Sequence, residues 1–202
     1  MRPIFRHLGI QKYEKVHHDM QIFTDQRHQG TRDEIWFVEH MPVFTLGRNK
    51  DKENVLTDSD IPFVKSDRGG DVTYHGPGQL IIYCLVDLKR SQIGVKSLVA
   101  GLEDIIIQYL YGYEISAHRL EFAPGVYVNG DKIASLGLRV RNGCSFHGIS
   151  INVDMDLTPF SYINPCGLKG MKVTQLASLG VQKTCKDVAI ELSEAIVQKF
   201  YL

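Results

Sequence analysis

Residues 80–86, LIIYCLV, place seven apolar side chains in succession. The run is too short to cross a membrane, which takes about 20 apolar residues, and it is bounded by turn-forming residues. It reads as a buried strand covered on both faces, so the rest of the chain has to supply a layer on each side of a sheet. Residues 95–111 put Leu98, Leu102, Ile105, Ile106 and Tyr109 on one face of a helix. Residues 186–200 form a second amphipathic helix, with Val188, Ile190, Leu192 and Ile196 among its apolar positions. Residues 13–29 carry Val16, Met20 and Phe23 at helical spacing and read as a surface helix stopped near Gly30.

Further strands come from EIWFVEH at 34–40, from VFTLGR after Pro42, from residues 61–65 and from SFHGISINV. Residues 125–140 alternate about Asn129-Gly130, the strongest short hairpin signal. Residues 51–60 read as loop or a short helix, and RGGDVTYHGPGQ at 68–79 as too glycine-rich for regular structure. Strands and helices alternate irregularly, with hairpin-like pairs. That pattern predicts an α+β fold, a mixed and largely antiparallel sheet flanked by helices. No composition shift marks a linker in the 202 residues, so residues 1–202 are expected to form one domain.

Lysine plus arginine and aspartate plus glutamate total 23 each. The basic excess of a nucleic-acid binder is therefore missing. The first twenty residues lack the apolar core of a signal peptide, so a cytoplasmic protein with no membrane segment is expected. The four cysteines, Cys84, Cys144, Cys166 and Cys185, make no C-x-x-C pair. Neither a zinc site nor a disulfide framework fits, and no metal is expected.

Two constellations carry chemistry. In the first, the glycines at 69, 70, 76 and 78 let backbone approach a ligand closely, and Arg68 and His75 add donors able to hold a carbonyl or an oxyanion. There is no G-x-G-x-x-G and no G-x-x-x-x-G-K-[ST], which removes the two common phosphate cradles. In the second, Cys166 stands between Pro165 and Gly167. The thiol is thereby placed on a shaped loop, where a nearby ammonium or imidazole would activate it. Taken by themselves, Lys132 reads as a solvated charge beside the hairpin turn and His147 as a structural histidine. Cys84 reads as packing, Cys185 as inert, and Cys144 as able to reach a pocket at SFHG. His17 and His18 read as solvent-exposed on a polar helix.

The segment RGGDVTYHGPGQLIIY resembles the signature of the octanoyl (lipoyl) transferases, and DKIASLGLRV, SFHG and NPCG recur in that family in the same order. The resemblance implies the fold of the biotin and lipoate protein ligases. It also implies transfer of an octanoyl group from acyl carrier protein to a lysine of lipoyl domains. The acceptors would be 2-oxoacid dehydrogenase E2 subunits and the glycine cleavage H protein, and no cofactor is implied. By the same likeness Cys166 matches the acyl-accepting nucleophile and Lys132 its partner. Arg68, Gly69, Gly70, Asp71, Val72, Thr73, Tyr74 and His75 match the lining of the acyl pocket. Ser135, Leu136 and Gly137, with Gly148, Ile149 and Ser150, match segments that contact the acyl group, and His147 lies in the same wall.

Several expectations follow from that chemistry. Oxyanion donors are expected near Gly69–Gly70 or Gly148, and an apolar tunnel from LIIYCLV and Leu136. A basic rim of Arg139, Arg141, Lys169 and Lys172 would face acidic partners. Two other readings compete: an ATP-dependent lipoate or biotin protein ligase, and a non-catalytic protein that binds an acyl group or a lipoyl domain.

Overall fold

A computed structural model describes residues 2–48, 52–165 and 170–202. The strands are β1 (Ile4–Gln11), β2 (Glu34–His40), β3 (Val43–Leu46), β4 (Phe63–Lys65), β5 (Thr73–His75), β6 (Gln79–Leu85), β7 (His118–Leu120), β8 (Ala123–Val128), β9 (Asp131–Arg141) and β10 (Cys144–Asn152). The helices are α1 (Tyr13–Asp25), α2 (Val95–Tyr111) and α3 (Cys185–Tyr201). Seven strands form one sheet in the order β1-β2-β6-β10-β9-β8-β7, and β4-β3-β5 form a second. In the larger sheet β1 runs parallel to β2 and the remaining pairs are antiparallel. This is the mixed, largely antiparallel α+β sheet that the sequence implies.

The apolar run of β6 is buried at every position because its two faces serve two cores. Leu80, Ile82 and Cys84 pack with Leu98, Leu102 and Ile106 of α2 and with Val188 and Leu192 of α3. Ile81, Tyr83 and Leu85 pack with Val16 and Met20 of α1, with Trp36, and with Phe146. A third cluster, around Phe44, Tyr74 and Phe160, joins the small sheet to the body. The hairpin of β8 and β9 turns at Asn129 (φ 51°) and Gly130 (φ 89°). Both central residues are left-handed, as the tight two-residue turn demands.

Helix α3 opens on a capping box. The Thr184 hydroxyl accepts from the Asp187 N–H, and the Asp187 carboxylate accepts from the Thr184 N–H. Thr184→Ala should lower unfolding stability by about 1 kcal/mol. A urea titration checks this, and an unmoved midpoint would show that the cap contributes nothing.

The structure corrects two expectations and adds two strands, β1 and β7, that no sequence pattern announced. The first helix ends at Asp25 rather than near residue 29, and its Val16 and Met20 belong to the core. The glycine-rich segment contains a strand, β5. Strand β1 carries no clean alternation: its pairing with β2 shifts register between His7 and Ile10, where Gly9 has φ 64°. The edge strand β7 is three exposed residues with no apolar pattern to read.

Candidate active site

A narrow cleft lies on the α1 face of the large sheet. Its floor is Ile81 and Tyr83 of β6, Ser135–Gly137 of β9 and His147–Ser150 of β10. Its roof is residues 70–73 with His75, and Tyr13 of α1 closes one side.

The roof is held by its own arginine. Arg68 is buried, and its guanidinium donates to the Thr45 carbonyl at 2.6 Å, the Asp71 carbonyl at 2.7 Å and the Gly69 carbonyl at 2.9 Å, and also to Thr45 Oγ1. The sequence implies that Arg68 holds a carbonyl or an oxyanion, and the groups it holds here are backbone carbonyls that fold the loop. The Gly69 N–H is likewise used, donating to the Leu138 carbonyl at 3.0 Å. This bond ties the loop to β9, where a Cβ on Gly137 would come within 2.8 Å of the Gly69 carbonyl oxygen. A Cβ on Gly148 would sit 2.0 Å from the Ile82 carbonyl oxygen, so the floor is bare backbone there.

Strand alternation sorts β5. Thr73 and His75 face the cleft, whereas Tyr74 points the other way and packs edge-on against Phe160. Tyr74 and Gly69 thus stand outside the lining that the family likeness implies. Tyr13 stands inside it, and only its place on the Val16–Met20 stripe of α1 hinted at an inward side chain.

Two histidines of the cleft wall, His75 and His147, and His40 beside them are kept neutral by burial. Desolvation pushes His75 down to about 3, and His40 and His147 down to about 4, from an ordinary 6.5. Their hydrogen bonds fit the neutral ring. His40 Nδ1–H donates to the Gln11 carbonyl at 3.0 Å, and its Nε2 accepts from the Tyr83 hydroxyl at 2.7 Å. His75 Nδ1–H donates to Gln79 Oε1 at 2.7 Å, Gln79 donates to Asn152, and Asn152 donates to the Thr174 carbonyl.

At the other end, His147 and His17 each donate from Nε2 to the same oxygen of Asp67, both at 2.8 Å. Despite its burial cost, those two hydrogen bonds hold the Asp67 carboxyl far below the usual carboxylate range. His17 is thus turned inward, which corrects the solvent-exposed reading, while His18 is exposed. These three residues are close enough together to suggest a metal site. A metal on His147 Nε2 would move that ring's proton to Nδ1, which is buried and has no partner. A ligating histidine needs an acceptor for that proton, so the cluster is read as a hydrogen-bonded unit.

Lys132 is 1% exposed, which overturns the solvated-charge reading. Gly125, at φ 139°, makes room for it: a Cβ there would lie 2.6 Å from Lys132 Cε. The ammonium sits 5.3 Å from the centre of the Tyr127 ring. Lys132 precedes the Ser135 end of the cleft on β9. Its N–H donates to the Lys172 carbonyl, and its carbonyl accepts from the Thr174 N–H. Cys166 and Lys169 lie outside the described residues. The chain before Cys166 is fixed through Asn164, whose N–H donates to the Asn54 carbonyl, and Asn54 Nδ2 in turn donates to Asp71 of the cleft.

The described cysteines are buried thiols. Desolvation pushes Cys84 up to about 12, and it also raises Cys144 and Cys185. Cys144 does not line the cleft; it bridges to Asp87. Of the expected basic rim, Arg141 is engaged with Asp25 at 3.2 Å and lies over Phe146.

Sheet, layers and roofing loop together define a domain of the lipoate and biotin protein ligase fold. A bi-partite lipoate protein ligase from Thermoplasma acidophilum superposes with a TM-score of 0.78 at 17% identity, covering 98% of this chain and 84% of that one. The biotin protein ligase of Aquifex aeolicus, in complex with biotin and ATP, gives 0.59 at 14% identity, covering 98% and 70%. At such identities the likeness is one of fold. The chain belongs to the lipoyl protein ligase A/B catalytic domain family, whose profile matches residues 11–199. Within reach of sequence comparison, the octanoyltransferase of Chromobacterium violaceum is 55% identical over 192 residues, covering 95% of this chain and 93% of that one.

Proposed function

We propose that this chain is an octanoyltransferase of lipoate biosynthesis. It takes an octanoyl group from acyl carrier protein, holds it as a thioester on Cys166, and passes it to a lysine of a lipoyl domain. Identity above one half to a named octanoyltransferase over nearly the whole chain carries the reading. The anchors on either side of Cys166 support it: one reaches Asp71 in the roof, and the other is the backbone of Lys132.

In the first half-reaction the Cys166 thiolate attacks the donor thioester carbonyl, the carbonyl–sulfur bond to the carrier breaks, and the carrier leaves as its thiolate. In the second, a lipoyl-domain amine attacks the acyl-enzyme, an amide forms, and the Cys166 thiolate leaves. An amide replaces a thioester, so the sequence runs downhill without ATP. Lys132 stabilises the thiolate as an ammonium or, once neutral, takes the proton of the incoming amine. The floor side chains Ile81 and Tyr83 take the apolar chain, each buried methylene contributing about 0.8 kcal/mol.

Incubation with octanoyl-carrier protein, without ATP, should add one octanoyl group to the protein by intact mass, and Cys166→Ser should abolish the adduct. An adduct that survives the substitution would place the nucleophile elsewhere. Transfer that occurs only with ATP would make the protein a ligase. The buried thiols Cys84, Cys144 and Cys185 predict a single fast-alkylating cysteine in the native protein.

A further inference from the structure

We infer that His147 is the end wall of the acyl pocket and sets the length of chain that the enzyme accepts; the inference rests on the octanoyl-transfer reading above. The pocket has a direction. In its floor Ser135 lies opposite Ser150, Leu136 opposite Ile149, Gly137 opposite Gly148, and Leu138 opposite His147. Lys132 and the 172–174 segment stand beyond the Ser135–Ser150 end. Three strand steps separate that end from His147, roughly 10 Å, the reach of an extended eight-carbon chain. Between the two ends the floor includes Gly137 and Gly148, which leave a trough with no side chain across it.

The wall is built with care for its position. His147 has φ 60°, a left-handed backbone that few residues other than glycine adopt. Ordinary strand alternation would send the ring to the face opposite Phe146. Instead it stacks on Phe146, with centroids 5.0 Å apart, and meets Tyr83 edge-on at 6.0 Å. Its Nε2–H is held by Asp67, and the same carboxylate oxygen holds His17 of α1. Three elements meeting on one oxygen keep the ring from swinging aside.

Behind the ring the surroundings change. The side chain of His147 is 2% exposed, whereas those of His17 and Asp67 are 14% and 30% exposed. The ring therefore separates the apolar floor from an ionised carboxylate reached by water. A chain longer than eight carbons has to displace the ring and press its terminal methyl against that charge.

The test compares hexanoyl-, octanoyl-, decanoyl- and dodecanoyl-carrier protein as donors to wild type, His147→Gly and His147→Asn. Glycine and asparagine both accept the left-handed backbone, so the change is confined to the ring. The decanoyl-to-octanoyl ratio of kcat/KM should rise about tenfold in His147→Gly, as expected for two newly buried methylenes, and by less in His147→Asn. Folded variants whose ratio stays within twofold of wild type would overturn the inference.

A calorimetric series on the wild-type protein needs no variant. Affinity for free fatty acids should climb with each methylene up to eight carbons and then stop, and a climb continuing past ten carbons would also overturn the wall. A wild type that binds this series as expected yet transfers no octanoyl group would remove the transferase reading and leave the wall standing.

Discussion

Replacing Lys132 by methionine lowers octanoyl transfer by about 10²–10⁴, the range over which a positioned acid–base group usually acts, while the protein stays folded. A lysine two residues past a hairpin turn is ordinarily in water, yet Lys132 is buried against Tyr127 in a niche that a side chain on Gly125 would fill. Holding an amine inside costs free energy unless it is partnered, and a residue used only for packing would be methionine or leucine. Methionine keeps most of the volume, so the loss measured is that of the amine.

Alkylation separates the two possible roles. If the ammonium stabilises the Cys166 thiolate, iodoacetamide at pH 7 should react more slowly with that thiol in Lys132→Met. If the amine acts on the incoming lysine instead, alkylation should hold while transfer to the lipoyl domain falls. Transfer within threefold of wild type would take Lys132 out of the chemistry altogether.

The location of the site was readable before its geometry was. The apolar run of β6, the Asn129-Gly130 turn and the stripe of α2 each announce a local structure that no distant contact has to supply. The glycines of 68–79 mark a ligand loop, and that loop does roof the cleft. Sequence could not say that Arg68 donates to carbonyls of its own loop and to Thr45 of β3, because Thr45 is 23 residues away. Nor could it place Lys132, since hairpin charges are usually solvated and the space for this one is made by the left-handed Gly125. The inward turn of His17 depends on Asp67, fifty residues distant. Strand β1 was hidden for a related reason: its Arg6 is ion-paired with the buried Glu34, so polarity there follows a partner strand rather than the surface.

The second large effect is on stability. Unfolding should become markedly easier as the pH falls from 6.5 towards 4, with little change between pH 7 and 8. His40, His75 and His147 are pushed down to about 4, 3 and 4 by burial, so the folded protein refuses protons that the unfolded chain accepts near 6.5. Above 6.5 all three are neutral in both states, and their contribution is complete. Below it the unfolded chain is favoured by about 1.4 kcal/mol per pH unit for each histidine, until the folded values are reached.

Three such groups together give a slope of roughly 4 kcal/mol per pH unit, set against a total stability on the order of 5–15 kcal/mol. Cooperative unfolding in mild acid follows. Asp67, held ionised in the folded state, acts in the same direction but only below the ordinary aspartate range. The structure explains why the rings resist: protonating His40 takes away the acceptor of the Tyr83 hydroxyl, and His75 is enclosed beside Arg68. Urea midpoints measured from pH 8 to 4.5 read the slope, and His40→Gln should flatten it by about a third, one group of three. A midpoint that stays level from pH 7 to 4.5 would mean that these histidines take up their protons without unfolding the protein.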